Sequence, residues 1–301
     1  MTNQPALAET SEIAIHDGLS GFIDVYDAAI LDLWGVLHDG IRAYDHAEDA
    51  LKRLRAAGKK ICLLSNVPRR LGPTRAKLDG LGLTEDLYDH LVTSGEATHQ
   101  ALTNPSDDWH RKLGDAAYPL APFDEAVEML EGTGKQPVKS VGDADFLLAI
   151  GISDVRETLD DYRPALDAGL ARNLPLLCAN PDLIVNSGNR LAICAGTFAK
   201  YYQEQGGDVA YHGKPHGPVY DLCREHLGLA ADQRILAVGD SFATDLTGAK
   251  RAGLDACLVA GGIHLADLGG EFGAPVSAPD VDRLAAKYGL APDYVVPVCR
   301  W

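Results

Sequence analysis

The sequence predicts an α/β fold built on a mostly parallel sheet, and two observations support this prediction. Short apolar runs alternate along the chain with segments whose apolar residues recur at helical spacing, as in βαβ units. Two of these runs are followed directly by an aspartate: Asp32 comes after residues 29–31, and Asp240 comes after residues 235–239. Because ligands bind outside the carboxyl ends of strands in open α/β sheets, both carboxylates are expected at one site.

The elements of the first part of the chain alternate between strand and helix. After the first strand, residues 46–57 carry apolar side chains at helical spacing, and Gly58 follows as a stop signal. The further elements predicted here are a strand at 60–65, a helix at 73–81 and a short strand at 91–94.

The middle of the chain predicts a second α/β unit. Polar or glycine-bearing connections are expected at 107–114 and 132–139. The predicted elements are strands at 116–120, 146–150 and 174–179 and a helix at 161–171.

The core pattern resumes at about residue 210. A helix is expected to begin at Pro218, close to the first helical position that proline favours. The elements predicted in this part are a helix at 218–227, a strand at 235–239, a helix at 244–252, a strand at 256–260 and an edge strand at 294–298, where Pro297 suits an edge. The organisation predicted is a Rossmann-like parallel-sheet core domain, residues 1–92 and 186–301, with an inserted α/β cap domain, residues 93–185.

Size and charge restrict the classes of partner. The 301 residues are enough for two domains. The net charge of −16 argues against partners such as nucleic acid or an anionic membrane, because both require basic surface. It does not argue against a small anionic substrate, since a local metal and lysine can override the global field.

Cysteine usage and the amino-terminal residues predict a compartment. The six cysteines show no C-x-x-C spacing, so buried free thiols in a reducing environment are expected. Residues 1–12 are polar and unlike a signal peptide, and no run approaches the ~20 apolar residues of a membrane span. We therefore expect a cytoplasmic protein.

The paired aspartates also predict a metal. A carboxylate at the end of a buried strand is unfavourable unless a cation neutralises it. Asp32 and Asp240 together therefore suggest a shared divalent cation, and oxygen ligands favour Mg²⁺.

Four segments in chain order carry a family resemblance: 32–36 (Asp-Leu-Trp-Gly-Val), 64–66 (Leu-Ser-Asn), 213–215 (Gly-Lys-Pro) and 239–245, which contains Asp240 and Asp245. Together they resemble the haloacid dehalogenase-like superfamily of phosphatases. The insertion between the second and third segments is similar to class IIA, which has a large α/β cap and includes p-nitrophenyl phosphatase-like and nucleotide or sugar phosphatases. The run Asn180-Pro181-Asp182 adds to this match.

The residues suit phosphoryl transfer. A carboxylate nucleophile must be fixed at a strand end, as Asp32 is, and catalysis is otherwise positioning and charge stabilisation, for which Lys214 and the Ser65 hydroxyl are suited. The resemblance implies Mg²⁺ held by Asp32, the backbone carbonyl of Trp34 and Asp240, with Asp245 in the next layer. Substrate contacts are expected from Asn66, Asn180 and Asp182.

Each assignment has a structural alternative. Asp32 could be a turn or cap residue, Ser65 and Asn66 could form a turn, and Lys214 could be a solvated loop lysine. Asp245 could be a helix-cap or first-turn acid, because such positions favour carboxylates.

Trp34 departs from the family pattern. Most hydrolases of this superfamily carry a second aspartate there, which protonates the leaving group and then activates water. An indole cannot do this, and losing a general acid/base typically lowers rates by ~10²–10⁴-fold. We therefore expect better hydrolysis of esters with good leaving groups and a long-lived aspartyl-phosphate. His38 or Asp39 could replace the missing acid; otherwise both are loop residues.

The expected function is Mg²⁺-dependent hydrolysis of a small phosphorylated metabolite through an aspartyl-phosphate on Asp32. Cap closure would exclude water and select the substrate. The alternatives are a non-catalytic or regulatory phosphoryl-ligand-binding protein and a phosphotransferase to an acceptor other than water. A homo-oligomer is also expected, because caps of this size often offer dimer surfaces in the resembling subclass.

Overall fold

A computed structural model describes residues 13–120, 122–187, 190–230 and 232–301. Its larger sheet has seven parallel strands. In spatial order they are β1 (Ala14–Ile15), β14 (Tyr294–Val296), β13 (Asp255–Val259), β12 (Ile235–Gly239), β2 (Ala28–Asp32), β3 (Lys60–Ser65) and β4 (His90–Thr93).

The register brings the two predicted carboxylates together. β2 lies between β12 and β3, and Val238 pairs with Leu31, so Asp32 and Asp240 leave neighbouring strands at the same edge. Asp32 in turn pairs with Leu64, which precedes Ser65. The carboxyl ends of three adjacent strands therefore converge, as expected of ligand sites in such sheets.

Helices cover both faces of this sheet. One apolar cluster packs α1 against one face, and a second packs α8 and α10 against the other. The helices of this part are α1 (Ala47–Ala56), α2 (Leu71–Gly80), α8 (Gly217–Leu227), a π-helical turn (Phe242–Leu246), α9 (Thr247–Arg251) and α10 (Ala278–Tyr288). Short 3₁₀ turns lie at Leu19–Gly21, Ile23–Val25, Glu85–Leu87 and Val141–Asp143.

The second sheet has five parallel strands with two apolar clusters around it. In spatial order they are β11 (Val209–Tyr211), β8 (Leu176–Cys178), β7 (Phe146–Ala149), β5 (Ala116–Leu120) and β6 (Gln136–Pro137). The helices here are α3 (Ser94–Thr103), α4 (Asp108–Arg111), α5 (Phe123–Leu130), α6 (Leu159–Ala171) and α7 (Ala195–Glu204). A separate antiparallel hairpin joins β9 (Ile184–Ser187) to β10 (Arg190–Ile193).

The predicted α/β class is confirmed, and strands β3, β5 and β12 have the predicted bounds. The helix expected at 244–252 is instead a π-helical turn followed by α9. The connections expected at 107–114 and 132–139 contain α4 and β6, and helices α3, α5, α7 and α10 were not predicted.

The last strand begins at Tyr294 as predicted, but its edge position and its end at residue 298 were predicted wrongly. β14 ends at Val296, so Pro297 lies outside it, and β1 pairs with β14 and forms the edge. β1 has only two residues, which is too short for an alternation pattern to reveal.

The domain limits predicted from the sequence, 1–92 and 186–301 around 93–185, stay a prediction. Strand pairing adds one fact, that β11 belongs to the second sheet although it lies beyond residue 185. We propose on this basis that the chain returns to the core after Tyr211. In the described residues, no helix combines the length and apolarity needed to cross a membrane.

Candidate active site

Lys214 connects two carboxylates at the edge where the strands converge. Its Nζ donates to Asp32 Oδ1 at 2.6 Å and to Asp245 Oδ1 at 2.7 Å, and all three side chains are buried. Two adjacent carboxylates raise the pKa of the lysine above its usual value despite burial, so it stays charged. The interpretation of Lys214 as a solvated loop lysine was therefore wrong.

Asp240 lies in a space that only glycine backbone leaves open. Its Oδ2 accepts a hydrogen bond from the Ile263 backbone N–H at 2.7 Å. A Cβ placed on Gly35 or on Gly262 would lie 2.1 Å from that same oxygen, and Gly35 also has a φ of +81°. The sequence analysis did not identify this role of Gly262.

The π-helical turn positions Asp245. Its Oδ2 accepts from the Ser241 backbone N–H at 3.2 Å, and a Cβ on Gly239 would come within 2.2 Å of the Asp245 side chain. The hydroxyl of Tyr220 donates to the backbone carbonyl of Asp245 at 3.0 Å. Ser241, whose Oγ accepts from the Thr244 N–H, is the cap of this turn, so Asp245 is not the cap residue. Asp245 does lie in the first turn, as the alternative interpretation also allowed.

The three aspartates form a cluster suited to a divalent cation. Asp32, Asp240 and Asp245 each offer an oxygen within 4.8 Å of the others. Burial raises the pKa of Asp240 well above its usual value, and the neighbouring Asp32 and Asp245 carboxylates raise it further. Burial also raises the pKa of Asp32 to about 7, although Lys214 opposes the shift. Three carboxylates sharing one lysine are an all-oxygen donor set that a hard divalent cation fits.

Ser65 and Asn66 follow β3 and line the same cavity. Ser65 Oγ accepts a hydrogen bond from the Val67 N–H at 3.3 Å. The Asn66 amide donates to Asp182 Oδ1 at 2.8 Å and to the Lys214 carbonyl at 2.9 Å, and it accepts from the Lys214 N–H at 2.7 Å. Asn66 therefore positions the backbone of Lys214, and most of its hydrogen-bonding capacity is used within the protein.

Asp182 and Asn180 approach the site from the end of the second sheet. Asp182 lines the cavity, and burial raises the pKa of its carboxyl, whereas its bond to Asn66 opposes this. Asn180 is buried, and its Oδ1 accepts from the Asp182 N–H at 3.1 Å. Unlike the other predicted site residues, Asn180 does not line the cavity. Its hydrogen bond stabilises the turn that contains Asp182, whose side chain lines the cavity.

The cavity between the two sheets has a volume of about 730 Å³. Several of its walls were not predicted from the sequence, because they belong to the loop after β2, the β9–β10 hairpin and the loop after β13. These residues include Ile41, Tyr44, Ile184, Val185 and Ile263. No local pattern marks them, since they meet only when distant segments pack together.

Comparison with known sequences shows the family. The haloacid dehalogenase-like hydrolase model matches residues 94–253, which is more than half of the chain. The chain belongs to this family. A second haloacid dehalogenase-like hydrolase model matches residues 29–113, and a related HAD-hydrolase-like model matches residues 211–297. The predictions of family and enzyme class are therefore confirmed.

Individual relatives of this hydrolase agree with that placement. This chain is 28% identical to sugar-phosphatase AraL of Bacillus subtilis over 76% of its own length and 81% of that protein. It is 25% identical to human glycerol-3-phosphate phosphatase over 79% of each chain. The crystal structure of a haloacid dehalogenase-like hydrolase from Brucella suis 1330 superposes with a TM-score of 0.78 at 32% identity, over 94% of this chain and 99% of that one.

Trp34 presents an exposed ring at the position where the family resemblance implies a second aspartate. Its indole is 44% exposed, lines the cavity and lies against Gly40, where a Cβ would come 2.2 Å from the ring. The backbone of the same residue stays at the site, so the predicted metal-binding role of its carbonyl remains a prediction. Because an indole does not titrate in the working range, this position supplies no proton.

The proposed substitutes for the missing acid lie in unsuitable environments. His38 is buried outside the described cavity lining, and its Nδ1 accepts from the Gly40 N–H at 3.0 Å. Burial lowers the pKa of His38 to about 4. Asp39 lines the cavity, but the Ile41 and Arg42 backbone N–H groups donate to its carboxylate and lower its pKa. Asp39 is therefore an ionised turn residue rather than a proton donor at neutral pH.

Proposed function

We propose that this hydrolase is a Mg²⁺-dependent phosphatase that acts on a small phosphomonoester through an aspartyl-phosphate on Asp32. The observation that carries the proposal is the position of Lys214 Nζ, 2.6 Å from Asp32 and 2.7 Å from Asp245, beside Asp240 and below a substrate-sized cavity. The sugar phosphate and glycerol phosphate in the names of two relatives support a small phosphorylated metabolite as substrate.

In the first half-reaction, an Asp32 carboxylate oxygen attacks phosphorus in line with the leaving group. The new Asp32–phosphorus bond forms as the ester P–O bond breaks, and the departing oxygen takes a proton from water because Trp34 has none to give. Lys214 provides positive charge close to the phosphoryl oxygens, and the Ser65 hydroxyl donates a hydrogen bond to them. Asp32, Asp240, Asp245 and the Trp34 carbonyl would hold the cation, which supplies further charge neutralisation when bound.

In the second half-reaction, water attacks the phosphorus of the aspartyl-phosphate. The Asp32–phosphate bond breaks, the carboxylate is regenerated, and inorganic phosphate and one proton are released. Without an acid/base group at position 34, water is a poor nucleophile here, so the phosphoenzyme is expected to persist. This feature favours a second candidate, phosphoryl transfer from Asp32 to an acceptor other than water.

The test is phosphate release with Mg²⁺ across a panel of phosphomonoesters, comparing the wild type with Asp32→Asn. Turnover should fall by at least ~10³-fold in the variant, because the nucleophile is lost. The matched control is Asp160→Asn, which removes an exposed carboxylate on α6 that pairs only with Arg163 in the described structure, and it should keep wild-type rates.

The remaining outcomes separate the alternatives. A rapid quench that finds phosphate on Asp32 with little release until an alcohol acceptor is added would favour the phosphotransferase. Absence of both release and adduct in folded, Mg²⁺-loaded protein would favour a ligand-binding role. The cytoplasmic location and homo-oligomeric state stay predictions.

A further inference from the structure

Several exposed apolar side chains line the cavity of the candidate active site. Four large apolar side chains that line it are unusually exposed: Trp34 by 44%, Ile41 by 82%, Ile184 by 46% and Ile263 by 48%. They come from the loop after β2, the β9–β10 hairpin and the loop after β13, three segments that line the same cavity. Exposed apolar groups collected around a cavity mark a surface that a ligand covers.

The same cavity carries strong negative charge. Five carboxylates line it, and Lys214 is the one basic side chain among the lining residues that the structure describes. Lys214 pairs with Asp32 and Asp245, and Asp240 belongs to the same acidic cluster, whereas Asp39 and Asp182 lie outside that cluster. Asp39 is held ionised by backbone N–H donors beside Ile41. Because the proposed cation and Lys214 would offset the charge of Asp32, Asp240 and Asp245, the repulsion that a negatively charged leaving group meets comes from Asp39, which lies outside that cluster.

We propose that Trp34 is a specificity-determining residue that stacks on a flat apolar face of the leaving group, and that Asp39 excludes leaving groups with a negative charge. The leaving group is then an uncharged or cationic molecule with an aromatic or similarly flat face. An indole face attracts both aromatic rings and cations, so a cationic group gains from Trp34 and Asp39 together. This inference rests on the proposed phosphatase function.

The test uses three aryl phosphates that differ in charge but not in leaving-group chemistry. They are the phosphate esters of para-ethylphenol, tyramine and para-hydroxyphenylpropionate, whose phenolic pKa values are all about 10. We expect kcat/KM to be highest for the tyramine ester and roughly tenfold lower or worse for the carboxylate-bearing ester. Equal values, or a preference for the carboxylate-bearing ester, would overturn the inference.

Two variants assign the effect to residues. Trp34→Ala should raise KM for the para-ethylphenol ester by roughly 3- to 10-fold, and Trp34→Phe should restore most of the loss, because stacking needs a ring rather than an indole. A general fall in kcat with unchanged KM would point to a structural role and contradict the stacking role.

Asp39→Asn keeps the side-chain oxygen that accepts from Ile41 and Arg42 but removes the charge. It should narrow the ratio of kcat/KM between the tyramine and carboxylate-bearing esters several-fold. The charge-matched control Asp160→Asn should leave this ratio as in the wild type. An Asp39→Asn ratio that matches the wild type would remove Asp39 from the proposal.

Binding to Asp32→Asn keeps the inference separate from the proposed function. Calorimetry of the three esters with Mg²⁺ and this variant should give the same order of affinity as kcat/KM. If the variant binds the three esters in the expected order but the wild type hydrolyses none of them, the phosphatase proposal is refuted and the proposed leaving-group specificity is supported. If the wild type hydrolyses the esters but the variant binds all three with equal affinity, the phosphatase proposal is supported and the leaving-group specificity is refuted.

Discussion

Trp34 occupies the position at which the family resemblance implies a second aspartate, and its ring lies over Gly40 at the cavity wall. Its neighbours do not compensate for the missing acid, because His38 is buried away from the cavity and Asp39 is held ionised. Asp32, the proposed nucleophile, is nevertheless beside Lys214 and within the acidic cluster. The rate of ester cleavage at this site is therefore expected to depend on how easily the leaving group departs without being protonated by the protein.

Trp34→Asp tests that dependence. The variant should raise kcat for glycerol phosphate by roughly 10²–10⁴-fold, the usual contribution of a general acid/base, and should raise it less for aryl phosphates. Trp34→Asn is the matched control, since it has nearly the same shape and cannot titrate. Equal rates for the two variants would show that proton transfer at position 34 does not limit turnover.

At the element scale, β11 and α4 are joined by a pair of histidines. His212 follows β11, and its Nε2 lies 2.9 Å from His110 Nε2 on α4, while His110 Nδ1 lies 2.7 Å from Asp107. Burial lowers the pKa of His212 to about 3, and the neighbouring His110 lowers it further. His212 is therefore neutral in the folded protein at neutral pH.

This pairing predicts acid sensitivity. Below the unfolded-state pKa of about 6.5, the unfolded chain binds a proton at His212 that the folded chain does not, so stability falls between pH 6.5 and about 3. From pH 7.5 to 5.0 the loss from this residue should be about 2 kcal/mol. Urea unfolding of the wild type and His212→Gln measures it, and the variant should lose less stability over that range.

The control for the pH effect is His99→Gln, which removes a half-buried histidine on α3. Its unfolding free energy should follow the wild-type pH dependence. Parallel curves for His212→Gln and the wild type would contradict the assignment to the β11–α4 pair.

At the scale of the whole molecule, Asn66 links the two sheets at the catalytic site. Its amide contacts Asp182 after the second sheet and both backbone polar atoms of Lys214. The cavity is lined by residues that follow strands of both sheets. The relative position of the two sheets therefore sets the distance between Asp32 and the exposed apolar lining residues. The connection between them is thus part of the catalytic arrangement.

Removing that link should affect both stability and activity. Asn66→Ala leaves buried polar groups unpaired, and we expect a loss of roughly 1–3 kcal/mol in unfolding free energy. Because the Lys214 backbone is released, kcat should fall as well. Asn104→Ala, at the exposed carboxyl end of α3, is the control. Unchanged stability and kcat in Asn66→Ala would indicate that the link contributes little.

Local patterns were enough to predict most of the architecture and the proximity of two of the candidate site residues. Buried strands such as β3 and β12 are continuous apolar runs, and their bounds follow from composition alone. Asp32 and Asp240 could be placed together because parallel strands align their carboxyl ends. Lys214 and Asp245 followed from the family resemblance rather than from periodicity.

Other features depend on contacts between distant segments, which no local pattern encodes. Gly262 matters because its backbone passes against Asp240, and Ile184 matters because the separate β9–β10 hairpin lines the same cavity as the loop that carries Ile41. The strand β1 exists only because β14 offers it an edge. Side-chain alternation and helical spacing specify the secondary-structure elements, whereas long-range packing specifies which side chains meet. It is that packing which brings exposed apolar residues to the same cavity as the acidic cluster.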